Sequence, residues 1–312
     1  MKRNIYGIVL LLPLALTLLS AKCSENDEGS LSDCMDSAAD CNDTCADIDP
    51  TTDCTGEIFF ADENLGTAVR SAIDKPTGAL YAEDLEALTE LNAANINLSD
   101  LEGLQCLTSL TWLTLATNQI SDLTPLAQLT SLTELWLISN QILDLSPLRC
   151  LTSLNVLGLG ENQIVDIAPL ACLTSLTELE LNENSIDDVA PLAGLTALNR
   201  LDVANNQVSD LTPLACLQSI DYLDLPFNQI EDLAPLVANA NIDNGDYVYM
   251  PGNPIDEAEQ AENIAALCDR GVVVTPGCPP PEDEIDDFTP AGDSVLGRTV
   301  GRTVSDPSTF QF

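Results

Sequence analysis

A chain of 312 residues with 45% apolar side chains can hold one or two domains around a buried core, which excludes wholesale disorder. Its 50 acidic residues against 10 basic ones give a formal charge of −40, which excludes nucleic acid as a partner because that binding needs clustered Lys or Arg. Histidine is absent, so the usual Ser-His-Asp and Cys-His catalytic arrangements are excluded too.

Residues 1–21 read as an export signal. Lys2 and Arg3 precede an apolar run from Ile8 to Leu19, broken by Pro13 and Thr17, and Ser20-Ala21 supplies small residues after it. The run is shorter than the roughly 20 residues a membrane span needs, so a cleaved signal peptide is expected. The mature chain is then exported, secreted or at the cell surface. Leu18-Leu19-Ser20-Ala21 before Cys23 is also reminiscent of a lipobox, although Ser20 and Lys22 depart from that pattern. Cleavage after Ala21, where Leu19 is an imperfect −3 residue, and lipidation of Cys23 are both retained as readings. The membrane enters only through such an anchor.

Residues 22–56 form an acidic, cysteine-containing spacer without hydrophobic period. Eleven cysteines without histidine point to disulfides rather than zinc in an exported chain. A disulfide knot is expected among Cys34, Cys41, Cys45 and Cys54, with three pairings open. The aspartate spacing there does not match a calcium loop, and no metal or cofactor is assigned.

Residues 57–84 are expected to be a helical N-terminal cap. Asp62 is a candidate N-cap, and Leu65, Ala68, Val69, Ala72 and Ile73 then share one helix face. A second short helix is expected over 82–88.

Residues 85–255 are repeats. Leu107-Thr-Ser-Leu110 returns as Leu129, Leu151, Leu173, Leu195 and Leu217 segments, each 22 residues after the last. Within a unit the pattern is L-x-x-L-x-x-L-x-L-x-x-N-x-I-x-D-L-x-P-L. The L-x-L core reads as a short strand with side chains alternating inward and outward. Asn118, Asn140, Asn162, Asn184, Asn206 and Asn228, with Asn253 in a degenerate last unit, form a column that can satisfy turn backbone groups. Ile96 replaces the Asn in an imperfect first unit. The Asp-Leu-x-Pro-Leu segment bends the chain back, because Pro fixes φ and lacks an N–H. A single unit cannot bury its own apolar face, so the units must stack and both ends need covers.

Residues 256–278 supply the second cover: a helical stretch from Asp256 to Arg270, Gly271 as C′ residue, a strand over 272–274, and a Cys268–Cys278 loop. Residues 279–312 open with Pro279-Pro280-Pro281 and an acidic run and are expected to be a disordered tail.

The 22-residue unit N-x-I-x-D-L-x-P-L resembles the internalin-type leucine-rich repeats of bacterial surface proteins. Phe60-Ala-Asp-Glu-Asn-Leu65 and Arg270-Gly-Val-Val-Val274 look like that family's end caps, so the resemblance spans about residues 57–278. It implies an α/β solenoid, a leucine-rich-repeat horseshoe with a parallel β-sheet on the concave face and short 3-10 turns on the convex face. It also implies binding of another protein on the concave face. Intracellular phosphatase regulators share the 22-residue unit, but the export signal and cysteine usage argue against a scaffold of that kind. No LPxTG-like sorting signal stands near the C-terminus.

Counting the leading Leu as position 1, positions 6, 8, 10 and 11 face outward from the strands. Both tryptophans fall there, Trp112 at position 6 and Trp136 at position 8. Tyr222, Phe227, Tyr247 and Tyr249 follow toward the other end. Between them stand Glu134, Glu178, Glu180, Glu183, Asp202 and Asp224, with Arg200 the only cation. Trp and Tyr are enriched among binding hot spots, and an acidic rim steers basic surfaces. The expected partner is therefore another protein of basic or mixed charge, with a glycan stacked on the rings as the alternative. The competing structural reading is that these rings pack on neighbouring strands. Glu178 and Glu180 lie on an open surface without a desolvating pocket, which argues against acid–base catalysis and for a non-catalytic binding protein.

Cys106, Cys150, Cys172 and Cys216 all occupy position 22, on the back of the solenoid. Cys150 and Cys172 come from adjacent units, about 5 Å apart, and are disulfide candidates. Cys106 and Cys216 are expected to be buried free thiols.

Overall fold

The computed structural model describes residues 54–278. The expectations for residues 1–53, including Cys23, Cys34, Cys41 and Cys45, and for the tail 279–312 lie outside the described residues.

The chain opens on helix α1 (Glu63–Ala72), where Asp62 has extended backbone and its carboxylate accepts from the Asn64 N–H. The other Asp62 oxygen accepts from the Ser99 N–H, tying the cap to the first repeat. Leu65 and Val69 are buried beneath it. Helix α2 (Ala82–Leu85) is shorter than the expected 82–88 span. Thr89 must be extended there, because its carbonyl accepts from the N–H groups of Thr111 and Trp112 at the start of the sheet. Sheet pairing overrides local helix preference.

Nine three-residue strands follow: β1 (Glu90–Asn92), β2 (Trp112–Thr114), β3 (Glu134–Trp136), β4 (Val156–Gly158), β5 (Glu178–Glu180), β6 (Arg200–Asp202), β7 (Tyr222–Asp224), β8 (Tyr247–Tyr249) and β9 (Val273–Thr275). They pair in parallel, in strict chain order, as one sheet. The central residues Leu91, Leu113, Leu135, Leu157, Leu179, Leu201, Leu223, Val248 and Val274 stand in register and are buried. This is the α/β solenoid with its parallel concave sheet. Short 3-10 turns line the convex side, at Leu104–Cys106, Thr124–Leu126, Ser146–Leu148, Ala168–Cys172, Ala190–Leu192 and Thr212–Cys216.

Two side-chain columns set this geometry. Each Asn of the strand exit joins two repeats: Asn140 Nδ2 donates to Leu115 O at 3.0 Å and Leu137 O at 2.9 Å, while its Oδ1 accepts from Ile120 N. Asn206 does the same between Leu181 O, Val203 O and Ile186 N. Each Asp of the Asp-Leu-x-Pro-Leu segment accepts from the N–H two residues on, as Asp122 from Thr124 and Asp166 from Ala168, both at 2.8 Å. The proline then stands in the first turn of the 3-10 segment, where its missing N–H costs nothing. At position 11 the backbone turns left-handed, from Thr117 (φ 57°) to Phe227 (φ 53°).

The last turns depart from the pattern. Helix α3 (Ala234–Ala238) replaces a 3-10 turn, and the step from Tyr222 to Tyr247 is 247 − 222 = 25 residues. Buried Asn239 donates to Leu214 O and Leu217 O at its end. The expected helix from Asp256 is shortened to α4 (Ala261–Asp269), and the Asp256 carboxylate accepts from Ala258 N and Glu259 N in a separate turn before it. Arg270 donates to the carbonyls of Val237, Asn239 and Ile242, fixing this cap to the stack. The final strand runs 273–275, one residue beyond the expected 272–274.

Candidate binding face

The parallel register carries every outward strand position into one of two rows. Position 6 gives Trp112, Glu134, Val156, Glu178, Arg200, Tyr222 and Tyr247. Position 8 gives Thr114, Trp136, Gly158, Glu180, Asp202, Asp224 and Tyr249. Adjacent strands stand about 4.8 Å apart, so side chains in one row touch their neighbours.

At the N-terminal end Glu134 holds both indoles. Its Oε1 accepts from Trp112 Nε1 at 3.0 Å and from Trp136 Nε1 at 2.9 Å. Trp112 remains half-buried. Trp136, expected to project into the hollow, is 4% exposed. Its ring covers Gly158, the one strand position with no side chain to oppose it. That burial corrects the expectation of an exposed ring and matches the packing alternative at this residue.

At the other end Arg200 is sandwiched. Its Nε lies 3.3 Å from Glu178 Oε1, and its guanidinium carbon is 4.4 Å from the centre of the Tyr222 ring. Tyr222 in turn meets Tyr247, with ring centres 6.1 Å apart. Tyr222 is buried, contrary to expectation, because rings and guanidinium stack along one row. Burial, and next the Asp224 charge, push its hydroxyl up to about 12. Tyr247 and Tyr249 are half-buried, and Phe227, at the left-handed strand exit, is exposed and lies against Gly252.

Three carboxylates adjoin along position 8: Glu180, Asp202 and Asp224. Glu180 and Asp224 are each 7% exposed, so they are not the open acidic rim expected of them. Burial, followed by the neighbouring Asp202 charge, pushes the Asp224 carboxyl up to about 7, and its Oδ1 lacks a hydrogen-bond partner. Burial also raises Asp202, against the lowering effect of the Ala204 N–H and Arg200. Glu178 faces Arg200, so Glu178 and Glu180 do not act as a free carboxylate pair. Among the described residues no group of His, Cys, Asp or Glu is arranged to hold a metal ion.

Sequence reasoning passed over one feature. Leu143 and Val165, at position 15 of adjacent repeats, are 58% and 55% exposed. Position 15 is Ser121, Asp187, Ser209 and Glu231 in the other units, and that contrast was the available signal.

The cysteines differ most from expectation. Cys54 bonds Cys106, which removes Cys54 from the spacer knot and shows that Cys106 is not a free thiol. Cys268 bonds Cys278. Cys150, Cys172 and Cys216 are each disulfide-bonded, so Cys216 is not a free thiol either. The bonds that join two described cysteines are Cys54–Cys106 and Cys268–Cys278, so Cys150 and Cys172 are not joined to each other. Pairing is decided through space, and adjacency in the repeat register was an insufficient guide.

Comparison with known proteins places these features. A family model described as leucine rich repeats (2 copies) matches residues 108–150, 130–172, 152–194 and 174–216. The crystal structure of an internalin C2 from Listeria monocytogenes is 38% identical, with a TM-score of 0.64, over 69% of this chain and 93% of that one. An internalin (InlF) of the same species is 31% identical at a TM-score of 0.60, over 69% of this chain and 68% of that one. A leucine-rich-repeat protein of Leptospira interrogans shares the fold at 23% identity and a TM-score of 0.51, over 61% of this chain and 49% of that one. Comparison with curated proteins gives no match.

Proposed function

This chain is a member of the internalin family of leucine-rich-repeat proteins, and from that premise we propose that it is an exported, non-catalytic protein that binds another protein on its concave face. The observation that carries the reading is the pair of in-register rows, which present half-buried rings at both ends of one continuous surface. Trp112, Tyr247 and Tyr249 are the proposed anchors. Rings held in place by neighbours lose little entropy on docking, which is the property of binding hot spots.

The partner is proposed to be basic or of mixed charge. Arg200, which faces Glu178 and stacks on Tyr222, offsets the carboxylates of Asp202 and Asp224 only in part, since burial still raises both. A Lys or Arg arriving at Asp202 and Asp224 would favour their ionised forms and so couple binding to proton release. Export is supported by the basic and apolar N-terminal run and by disulfides on both caps, a usage typical of oxidising compartments. Adhesion or surface recognition is the corresponding role, with the chain secreted or held at the cell surface through a lipid on Cys23.

The test is to probe an array of extracellular protein domains and a glycan array with the labelled full chain. Binding to a protein that is lost in Trp112→Ala with Tyr249→Ala, with the far-UV spectrum unchanged, supports the reading. Binding to glycans alone turns it to the carbohydrate alternative, and capture insensitive to both substitutions overturns the concave site.

A further inference from the structure

Position 8 changes character toward the C-terminal end of the sheet. From β6 to β8 it runs Asp202, Asp224 and Tyr249 in strict register, so two carboxylates and a ring stand side by side. That row carries no basic residue. Arg200 stands in the other row, beside Glu178 and over the Tyr222 ring.

Within this row Asp224 lacks what its neighbour has. Asp202 accepts from the Ala204 N–H at 2.9 Å. Asp224 is only 7% exposed, yet its Oδ1 is buried with no hydrogen-bond partner, a condition that costs stability and is met by an incoming donor. The Cβ–Cγ torsion of an aspartate is soft, so a donor arriving from the hollow needs only a rotation of the carboxyl to reach that oxygen.

We infer that Asp202, Asp224 and Tyr249 form a receptor for one lysine side chain of the protein partner, its ammonium bridging the two carboxylates and its stem lying on the ring. The inference rests on the concave-face reading for the partner that brings the lysine. Adjacent strands put the two carboxylates about 4.8 Å apart. An ammonium nitrogen above their midpoint reaches one oxygen of each at about 2.8 Å, the length of a charge-assisted hydrogen bond. The ammonium is a compact charge whose donors diverge, which suits two acceptors on separate strands. A guanidinium is matched to both oxygens of one carboxylate, and with Oδ1 buried Asp224 does not offer both at once.

The same geometry gives the site a pH dependence. The charged and titratable groups around Asp224 are Glu178, Glu180 and Glu183 from β5 and its exit, Arg200 and Asp202 from β6, Tyr222 beside it on β7, and Tyr247 and Tyr249 from β8. Burial, and next the Asp202 charge, hold the Asp224 carboxyl protonated up to about pH 7, with Arg200 opposing. The Tyr222 hydroxyl, pushed up to about 12, stays neutral throughout. A lysine ammonium, with an ordinary value of about 10.4, stays charged across this range. Its entry therefore expels one proton from Asp224. Binding strengthens about tenfold per pH unit as pH rises toward about 7 and levels off above it.

The test titrates the isotope-labelled full chain at constant salt with lysine blocked as its α-acetyl amide, following the backbone amide resonances of β6, β7 and β8. Saturable shifts are expected there, with an affinity about tenfold higher at about pH 8 than at about pH 6. Arginine blocked in the same way is expected to bind more weakly, and the lysine probe with its ammonium acetylated is expected to leave the resonances unmoved. Asp224→Asn should abolish both the shifts and their pH dependence. Tyr249→Ala should weaken the lysine probe about 2–5-fold, the size of a cation–ring contact. The absence of saturable shifts, equal shifts in Asp224→Asn, an affinity indifferent to pH, or arginine binding as tightly as lysine each overturns the receptor. The titration uses no partner protein, so the two readings fail separately. A silent titration beside array capture that needs Trp112 and Tyr249 strikes the lysine receptor alone, and lysine binding beside capture insensitive to those residues strikes the concave-face reading.

Discussion

Ring carbons Cε3 and Cζ3 of Trp136 stand where a Cβ on Gly158, its in-register partner on the next strand, would be. Gly158→Ala therefore forces the indole away from the sheet. Overpacking of this kind costs about 1–3 kcal/mol. Urea unfolding should show the loss, and the tryptophan emission should shift toward that of a solvated indole. A substituted chain with unchanged midpoint and emission would mean that the ring does not rest there.

Removing one rung of the Asn column should weaken the stack more than removing a surface residue. Asn206→Ala takes the Asn206 oxygen from the buried Ile186 N–H and one of two amide donors from the Leu181 and Val203 carbonyls, which keep those of Asn184 and Asn228. One buried group left unsatisfied costs about 1–3 kcal/mol, and a loss of about that size is expected. Because each repeat is held by its neighbours, the urea transition followed by circular dichroism should also broaden.

Asp224 makes stability fall as pH rises. Its folded pKa is raised to about 7 from the ordinary carboxylate value of 3.8, so between about pH 4 and 7 the folded chain holds a proton that the unfolded chain has lost. The stabilising contribution of this group is full below about pH 4 and gone above about pH 7. Asp224→Asn should flatten the dependence of Tm on pH across that window and raise Tm at pH 8. A wild-type Tm contribution at this site that increases from pH 5 to 8 would contradict the assignment.

Thr117 holds φ 57°, a left-handed conformation that a β-branched residue adopts at a cost. The equivalent Asn205, at φ 54°, tolerates it through its short polar side chain. Thr117→Asn should stabilise the chain by about 0.5–1 kcal/mol, read as an increased urea midpoint with unchanged slope.

The solenoid was legible in the residues because its determinants act locally and repeat. The Leu spacing selects a buried strand, Asn118 and its successors bond backbone groups of their own repeat and of the one before it, and Asp122-Leu-Thr-Pro125 bends the chain by bonds two residues long. Such contacts are readable wherever the period is constant. The binding face was readable only as a row assignment. Which of its side chains stay open depends on what the next strand brings: Trp136 is buried because Gly158 leaves room for a ring, and Asp224 because rings and carboxylates crowd the same end. The cysteines were least legible. Cys54 and Cys106 are 52 residues apart in the chain, and only the coiling of the solenoid brings them together. Pattern within a repeat follows from short-range bonding, whereas exposure and disulfide partnership are properties of distances that exist only once the repeats have stacked.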